Sequence, residues 1–389
     1  MTTSTYAWAR PRVLGALAAV AALLAACGGA SSGTGSGGGQ TSFYSQAQAN
    51  VQKDYQSTDR APDTSSRPAA KGKKIVVISA GDEGESASVP VHAALAAAKA
   101  MGWQATEYDE HLDPTKGPAL MRQAIASGAD GIVVDANDCP LIKAPLQEAQ
   151  TAHIAVVPMY AYDCNDPLFN GGPALFSGEV QFGQAGSPDQ LALDYGAHQA
   201  DAVIVATKGH ARVVLFNDVE FTVLHYTGEG FKNELAKCSD CKVVDEVDFK
   251  AAELGPTLQQ KASSALLQHP ETNAVKIPYT AASLLGIAGA VVQSGKSSQL
   301  YVMGGEGFSD ELDLIRGSKG VNAVNIISSE WTGWAAADTL NSVFLGQQPK
   351  NSGIGWTLSD PSHNLPAAGP YIPKVDFKAA YMKAWGVSG

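Results

Sequence analysis

Short runs of apolar residues alternate with helix-length segments through most of this 389-residue chain. Runs of this kind, without polar residues at every second position, are typical of strands that are buried on both faces. Three runs occupy residues 75–78, 131–134 and 154–157, and Ala- and Leu-rich segments that fit crossover helices occupy 86–101, 117–127 and 140–152. This βαβαβ order predicts an α/β fold with a parallel sheet.

The same alternation resumes in the second half of the chain, so a second α/β unit follows the first. Its apolar runs are 212–216, 242–244, 273–277 and 300–303, and its helical segments lie near 220–237, 253–268 and 281–294. Neither unit has a phosphate-binding loop, and no G-x-G-x-x-G motif opens a helix after a strand. We therefore predict that the protein uses no cofactor.

Acidic residues outnumber basic residues by 38 to 27, which gives the chain a formal net charge of −11. No run of Lys and Arg interrupts this excess of negative charge. A nucleic-acid partner is therefore not expected, because binding to a phosphate backbone needs clustered positive charge.

The first 27 residues have the pattern of an export signal. Arg10 and Arg12 precede an apolar run over 13–26 that is too short to cross a bilayer. The run ends in Leu-Ala-Ala-Cys-Gly at 24–28, which resembles the lipobox of bacterial lipoproteins. This resemblance implies cleavage before Cys27, lipidation of its thiol and attachment to the outer face of the cytoplasmic membrane. An ordinary secretory signal is the alternative, and it would leave the compartment unchanged.

The chain that follows Cys27 is rich in Gly, Ser and Thr as far as residue 39. Segments of this composition behave as flexible linkers. We predict that residues 28–72 form a flexible tether between the lipid and the folded part of the protein.

Four further cysteines remain, an even number in a chain that is predicted to reach an oxidising compartment. This number favours two disulfides. Cys139 and Cys164 each follow a predicted strand, so neighbouring strands would bring them together, and Cys238 and Cys241 would close a small ring. A zinc site would need a second ligand pair, and a redox C-x-x-C normally opens a helix after a strand. We therefore favour structural bonds and predict no metal.

Polar side chains, most of them acidic, come directly after the predicted strands. In open α/β sheets the ligand crevice lies at the carboxyl ends of the strands. Carboxylates accept hydrogen bonds from hydroxyl and ammonium groups, so polyols or amines are the expected ligands. Capping of a helix is the alternative for Asp138 and Asp218. The candidates are Glu83, Asp135, Asp138, Asp163, Asn217, Asp218 and Glu306.

An ordered set of short motifs extends through both units. The motifs are SGADGIVVD at 127–135, IAVV at 154–157, GEGF at 228–231, DF at 248–249, HP with NAV within 269–275, and VMGGEG at 302–307. Together they resemble the type 1 periplasmic sugar-binding proteins, the ribose-binding-protein group, over about residues 73–358. The order of the motifs carries this resemblance, since no single motif is specific.

The resemblance implies two Rossmann-like lobes with parallel sheets, joined by a three-strand hinge, with the ligand held in the cleft between them. Residues 73–178 with 328–353 would form the N-terminal lobe, and residues 179–327 with 354–375 would form the C-terminal lobe. Residues 376–389 would add a C-terminal helix that packs on a lobe.

The resemblance also implies a set of ligand contacts. Tyr160 and Asp163 are alternatives for one position of the family pattern, and Tyr279 and Thr280 are alternatives for another. For Phe249 a stacking role in the cleft and a place in the core are both open. The predicted contacts are Glu83, Asp135, Tyr160, Asp163, His225, Phe249, Tyr279, Thr280, Glu306 and Trp331.

Two positions depart from the family pattern. Ser86-Ala87 stands where an aromatic pair is usual, and Ile327 stands near the second crossing where a glutamine is usual. Trp331 could supply the missing aromatic face, because a ring stacks on the apolar face of a sugar or on a cation. A place for Trp331 in the core is the alternative.

By resemblance, the protein is expected to be a monomeric substrate-binding lipoprotein of an ABC importer. It would capture a small polar solute, a sugar or polyol first of all, and dock on a membrane permease that works with an ATPase. One alternative is a lipoprotein that senses its ligand for a signalling receptor, and another is a binder of an amine or nucleoside. A hydrolase that uses Glu83 and Glu306 as acid and base is a third. We favour binding without catalysis and predict no catalytic residue.

Overall fold

The computed structural model describes residues 37–183 and 185–387, with side chains from residue 43 onward. The predicted signal peptide and Cys27 lie outside these ranges. None of the helices within them combines the length and the apolar character that crossing a membrane requires.

Strands and helices alternate through the described residues. The first half contains α1 (Gly37–Tyr55), β1 (Lys74–Ser79), α2 (Glu85–Ala100), β2 (Gln104–Asp109), α3 (Gly117–Ala126), β3 (Gly131–Asp135), α4 (Cys139–Thr151), β4 (Ala155–Met159) and α5 (Pro188–Ala206). The second half contains β5 (Arg212–Asp218), α6 (Thr222–Leu235), β6 (Lys242–Phe249), α7 (Pro256–Gln268), β7 (Ala274–Lys276), the single turn α8 (Thr280–Ala282), a π turn (Ser283–Ile287), α9 (Ala288–Gln293), β8 (Tyr301–Met303), α10 (Ser309–Arg316), β9 (Val324–Ile326), α11 (Ser329–Phe344), β10 (Thr357–Ser359) and α12 (Phe377–Trp385).

The first lobe is built on a four-stranded parallel sheet with the order β2-β1-β3-β4. β1, β3 and β4 are buried along nearly their whole length, which explains why their sequences are apolar without interruption. β2 lies at the edge and is partly exposed, and its sequence is correspondingly polar. Helices cover both faces, with α2 and α11 on one face and α3 and α4 on the other.

The second lobe repeats this arrangement with the order β6-β5-β7-β8, again with parallel strands. Its core lies between the sheet and α7, α9 and α10 on one face, and between the sheet and α5 and α6 on the other. The predicted α/β class with two parallel sheets is therefore confirmed.

The chain passes between the lobes three times. The first crossing joins β4 to α5, the second joins β9 to α11, and the third joins α11 to β10. The first and third crossings meet where Gln181 pairs with Asn351, and β9 and β10 form a two-stranded antiparallel sheet. The three predicted lobe boundaries, at 178/179, 327/328 and 353/354, fall within these connections.

α5 and α6 lie in unusually close contact in the second lobe. A Cβ atom added to Gly230 would overlap the backbone carbonyl of Leu193, and one added to Gly196 would overlap the carbonyl of Thr227. Each glycine therefore allows the backbone of the opposite helix to approach. Gly228, in the same motif, faces open space.

Residues 43–72, which the sequence predicts to be part of a flexible tether, are folded onto the rest of the chain, so this prediction is wrong. α1 places Ala47 and Val51 in the core of the second lobe, against α5. Asp54 is fully buried and accepts a hydrogen bond from the indole N–H of Trp356 at 2.8 Å. We call residues 43–70 the N-terminal segment.

The N-terminal segment continues from α1 along the third crossing. The backbone N–H of Thr58 donates to the carbonyl of Trp356 at 2.9 Å, and that of Arg60 donates to the carbonyl of Gly353 at 2.8 Å. Further on, the backbone N–H of Arg67 donates to a carbonyl of α12, which packs on α11 of the first lobe. The segment therefore contacts both lobes and the hinge.

Arg67 anchors the end of this segment in the first lobe. Its side chain is fully buried, and its Nε donates to a carboxylate oxygen of Asp338 at 2.7 Å. The indole N–H of Trp385 donates to the same oxygen at 2.6 Å. The guanidinium also donates to the carbonyls of Ser65 at 2.8 Å and Asp63 at 2.9 Å, so every part of the buried charge has a partner.

The four described cysteines lie in the two predicted pairs. The Cα atoms of Cys139 and Cys164 are 5.0 Å apart, and those of Cys238 and Cys241 are 5.2 Å apart. Both separations are within the range of disulfides. Cys139 opens α4 and Cys164 lies in the loop after β4, so the two cysteines of the first pair follow the ends of neighbouring strands.

Candidate functional site

A cleft of about 270 Å³ lies between the two lobes, where the carboxyl ends of both sheets meet. This is the place at which open α/β sheets bind their ligands. Most of its wall is apolar or aromatic, with a few carboxylates and hydroxyls. Large side chains on the wall are Leu112, Met159, Tyr160, Tyr162, Phe182, Leu191, Tyr195, Phe221, Leu254, Tyr279, Leu285 and Ile327.

Five of the ten predicted contacts line this cleft. They come from both lobes and from the ends of β1, β3, β4, β7 and β8, because each follows its strand closely. These residues are Glu83, Asp135, Tyr160, Tyr279 and Glu306.

Asp135 is the last residue of β3, and its side chain is 1% exposed. The backbone N–H of Ala80 approaches one carboxylate oxygen at 3.5 Å, while the other oxygen has no hydrogen-bond partner among the described residues. Burial raises the pKa of Asp135 well above its ordinary value, and the nearby Glu110 and Glu306 add to this effect. A buried oxygen without a partner on the wall of a cleft is available to a ligand.

Glu306 follows β8 and reaches across the cleft. It accepts a hydrogen bond from the hydroxyl of Ser86 in α2 of the opposite lobe, and another from the backbone N–H of Thr280 at 3.3 Å. Burial raises its pKa to about 7. The Ser86–Glu306 hydrogen bond therefore joins the two lobes directly.

The backbone is in a left-handed conformation at two residues on the cleft wall. Ala136 and Tyr160 both have a φ of 51°, directly after β3 and β4. Such conformations are strained for residues with a Cβ and are concentrated at functional sites. The ring of Tyr160 is held by its hydroxyl, which donates to Ser329 at 3.1 Å and Thr332 at 3.2 Å.

Tyr279 forms part of the opposite wall. Its hydroxyl donates to Asp218 at 2.8 Å, and its ring lies 6.1 Å from that of Phe249, between centroids. Burial and the Asp218 charge raise the pKa of Tyr279, so the phenol stays protonated. Asp218 is itself buried, and it orients the ring rather than facing a ligand.

The structure does not place Phe249 or Trp331 on the cleft wall. Phe249 is 1% exposed in the core of the second lobe. Trp331 is fully buried, stacks on Phe377 with ring centroids 4.9 Å apart, and donates its indole N–H to Tyr381. Both rings therefore take the core alternative, because α11 and the end of β6 turn them toward neighbouring helices.

Three other predicted contacts also lie off the cleft wall. Asp163 is buried and accepts backbone N–H bonds from Leu175 at 2.8 Å and Phe176 at 3.0 Å, so its carboxylate closes the loop after β4. His225 is exposed on α6. The hydroxyl of Thr280 donates to buried Glu311 at 2.9 Å, so Thr280 acts on the site only through its backbone N–H.

Sequence reasoning missed the aromatic part of the wall. Tyr162 and Phe182 belong to the first crossing, Tyr195 lies on α5, and Phe221 precedes α6. Tyr162 and Phe221 each come three residues after a strand, so the strand-end rule could have found them, whereas Phe182 and Tyr195 lie far from any strand end. The π turn, which brings Leu285 to the wall, also interrupts a segment that the sequence predicts to be one helix.

Two groups of His and carboxylate side chains lie near the surface, and one of them includes Glu83 of the cleft wall. In each group the possible ligand atoms are within 4.8 Å of one another. Exposed groups of this kind are common without an ion, so we assign no metal to them. The groups are Asp82, His92 and Glu107, and Glu83, Asp109 and His111.

Replacing Glu306 with glutamine should stabilise the unliganded protein at high pH. The folded protein holds the Glu306 proton up to about pH 7, whereas the unfolded chain loses it near the ordinary value of 4.5. The stabilising contribution of the neutral carboxyl is therefore complete below pH 4.5 and is lost as the pH rises through 7. We expect Glu306→Gln to raise the free energy of unfolding at pH 8 by on the order of 2 kcal/mol, with little change at pH 4.

Urea titrations at both pH values measure this difference, with Glu83→Gln as the matched control. The Glu83 side chain is 51% exposed, so its neutralisation should change the free energy of unfolding by less than about 0.5 kcal/mol. A loss of stability in Glu306→Gln at pH 8 would contradict the expected burial cost of this carboxylate.

We compared the sequence and the fold with those of known proteins to find the family to which the chain belongs. Residues 75–348 match the family model described as periplasmic binding protein domain. No curated protein sequence matches the chain.

Solved structures of low sequence identity share the fold. The 5-methylthioribose transporter solute binding protein from Thermotoga lettingae has a TM-score of 0.63 at 18% identity, over 83% of this chain and 100% of that chain. A glucose-galactose binding protein from Geobacillus stearothermophilus has a TM-score of 0.64 at 16% identity, over 75% and 98%. An ABC transporter solute binding protein from Bacillus halodurans, with bound myo-inositol, has a TM-score of 0.63 at 16% identity, over 75% and 96%.

The family match extends over more than half of the chain, and the solved structures align over nearly their full length. The paired parallel sheets, the three crossings and the cleft at the strand ends agree with this match. The chain belongs to the periplasmic binding protein domain family and has its type 1 fold.

Proposed function

We propose that this protein captures a small polar solute outside the cell, first of all a sugar or polyol, and delivers it to an ABC permease with its ATPase. Family membership supports this role. Three structures with the same fold contain 5-methylthioribose, myo-inositol and D-arabinose, and their names describe transporter solute-binding proteins.

The observation that carries the proposal is the hydrogen bond between Ser86 and Glu306. It joins the two lobes across a cleft whose wall includes the unpartnered oxygen of Asp135. A solute bound there would contact both lobes at once, so it would favour the closed arrangement over an open one.

Closure would then signal occupancy to the permease. A ligand shifts such an equilibrium only by its difference in affinity for the two states. Contacts that require both lobes provide this difference, and the three crossings absorb the change in backbone dihedrals. The role needs no bond to be made or broken, so it needs no catalytic residue.

A binding screen tests the proposed capture of a sugar or polyol. A true ligand at one hundred times its dissociation constant should stabilise the protein by about 2.7 kcal/mol, measured as a shift of the thermal unfolding midpoint. Asp135→Ala should weaken binding of that ligand about tenfold or more, since a hydrogen bond to a charged group contributes about 1.5–3 kcal/mol. Glu148→Gln, on the exposed surface of α4 outside the cleft wall, serves as the control. Turnover of a glycoside would contradict the proposal, and no binding across sugars and polyols would exclude these two classes as the solute.

We further propose that the protein is a lipoprotein attached through Cys27, with both cysteine pairs oxidised. Mass spectrometry of protein isolated from membranes should find a diacylated N-terminal Cys27. Non-reduced digests should contain the linked pairs Cys139–Cys164 and Cys238–Cys241. Free thiols at these four positions in exported protein would refute the disulfides without affecting the proposed binding role.

A further inference from the structure

The hydrogen-bonding groups on the cleft wall are mainly acceptors. No lysine, arginine, histidine, asparagine or glutamine is among the described residues of the wall. Most hydroxyl donors are already used within the protein. Tyr279 donates to Asp218, Tyr195 donates to the carbonyl of Gly305 at 2.9 Å, and Ser86 donates to Glu306.

Two more hydroxyls on the wall are committed in the same way. The hydroxyl of Thr227 donates to the carbonyl of Val223 at 2.8 Å, and that of Tyr160 donates to Ser329. A solute that enters the cleft therefore meets carboxylate oxygens and hydroxyls that already donate their hydrogens to other groups of the protein. Such a wall fits a solute that is itself rich in donors.

Asp135 adds a more specific requirement. Its carboxylate is almost completely buried, one oxygen has no partner, and the charged groups that face it are Glu110 and Glu306, which are also acids. An ionised carboxylate in such surroundings is costly unless a cation pairs with it. The described residues of the wall supply no cation, so a charged Asp135 would need its partner charge from the guest.

The aromatic side chains of the wall determine which groups of the solute fit next to its positive charge. Tyr160, Tyr195 and Tyr279 present ring surface, and Phe182 and Phe221 extend this surface toward the crossings. Aromatic faces attract cations and stack on apolar C–H surfaces. The guest therefore needs an apolar face or ring next to its charged group.

We propose that the solute of this cleft is an amine, with its ammonium group between Asp135 and Glu306 and its apolar face against the tyrosines. This inference rests on the proposed capture of a small polar solute and names an amine, in place of a neutral sugar or polyol, as the class of that solute. An aminopolyol and an arylalkylamine share the required chemistry, and the experiment separates them.

Two pairs of probes differ in a single group, with –CH2NH3+ in one member and –CH2OH in the other. The pairs are D-glucamine with D-sorbitol, and tyramine with tyrosol. Isothermal titration calorimetry at pH 7.5 should show that at least one amine binds ten times or more tighter than its alcohol partner. The pair that shows this preference identifies whether the amine carries a polyol chain or an aromatic ring.

Equal or tighter binding of the alcohols would overturn the inference while supporting solute capture. Binding of none of the four probes would also overturn it, and the sugar and polyol screen would still decide the proposed function. Failure of the inference and failure of the function are therefore separate results.

Asp135→Asn and Glu306→Gln remove one negative charge each with little change in shape. Each variant should lose at least tenfold in affinity for the preferred amine and retain its affinity for the alcohol partner, which shows that the cleft is intact. Glu148→Gln, at an exposed ion pair on α4 outside the cleft wall, should keep the preference of the parent protein. Full amine affinity in both Asp135→Asn and Glu306→Gln would refute the assigned ammonium position.

The affinity for the amine should also depend on pH. The titratable groups that face Glu306 are Glu85, Asp135, Tyr160, Tyr195, Tyr279 and Glu311. Glu306 also accepts hydrogen bonds from the hydroxyl of Ser86 and the N–H of Thr280, and burial raises its pKa to about 7. Amine affinity should therefore rise as the pH increases from 6 to 8, because the carboxylate becomes ionised, while affinity for the alcohol stays level. Amine affinity that does not change over this range would count against the proposal.

Discussion

Replacing Arg67 with leucine should lower the free energy of unfolding by about 3–5 kcal/mol, the range for removing one partner of a buried ion pair. The substitution leaves the carboxylate of Asp338 buried with the Trp385 indole as its remaining described side-chain donor. It also frees the carbonyls of Ser65 and Asp63 from the guanidinium. Urea denaturation followed by tryptophan fluorescence measures the loss.

Arg60→Leu is the matched control for this experiment. Arg60 belongs to the same segment, is exposed, and uses its guanidinium only for nearby carbonyls at Ser57 and Asp59. It should change the free energy of unfolding by less than about 0.5 kcal/mol. Equal, small effects for both arginines would mean that the N-terminal segment behaves as a tether after all.

Gly230→Ala should destabilise the protein by roughly 3 kcal/mol, the upper end of the usual cost of overpacking. The added methyl group would overlap the carbonyl of Leu193, which belongs to backbone and cannot rotate away. α5 and α6 would have to separate, and the core of the second lobe would lose contact along both helices. Thermal and urea unfolding of the purified variant measure the loss.

Gly228→Ala tests whether this effect comes from contact or from helix propensity. Gly228 lies two residues away on the same helix, and an added methyl there meets nothing within 4 Å. Alanine favours a helix over glycine by about 0.8–1 kcal/mol, so this variant should be neutral or slightly more stable. A destabilisation as large as that of Gly230→Ala would contradict the close-packing explanation of the GEGF motif.

The buried strands of both sheets could be predicted from sequence because burial on two faces leaves a continuous apolar run. β1, β3, β4 and β5 all show this pattern. β2 was not predictable in this way, because an edge strand with exposed positions reads as Gln-Ala-Thr-Glu-Tyr-Asp. A continuous apolar run indicates burial, so it predicts a strand only where the strand is buried on both faces.

The fold of the N-terminal segment could not be read from its composition. Its buried residues are few and widely spaced in a polar sequence, and their partners lie in α5, α11 and the third crossing, far along the chain. The Gly/Ser/Thr-rich tract before them suggested a linker as far as residue 72, and the folded residues 43–72 contradict that extent. Long-range pairs such as Arg67 with Asp338 leave no local pattern.

The candidate site was predictable where chain geometry alone decides the position of a side chain. Asp135 ends β3, Tyr160 directly follows β4 and Glu306 lies three residues after β8, and the carboxyl ends of parallel strands share one edge. Phe249 and Trp331 needed knowledge of which way a ring turns, and that is set by neighbouring helices such as α12. Most hydrogen bonds of the wall hydroxyls could not be predicted either, since their partners are distant in sequence, as for Tyr160 and Ser329.

The path of the N-terminal segment has a consequence for how tightly the cleft holds its guest. The segment is fixed to the second lobe through α1, to the third crossing through Thr58 and Arg60, and to the first lobe through Arg67. Any rotation of the lobes that opens the cleft must bend the N-terminal segment together with the three crossings. The measured dissociation constant includes the free energy of that deformation. Substitutions in the N-terminal segment, which does not line the cleft, can thus change the affinity for the solute. Truncated proteins that lack this segment are unsuitable for measuring the affinity of the intact protein.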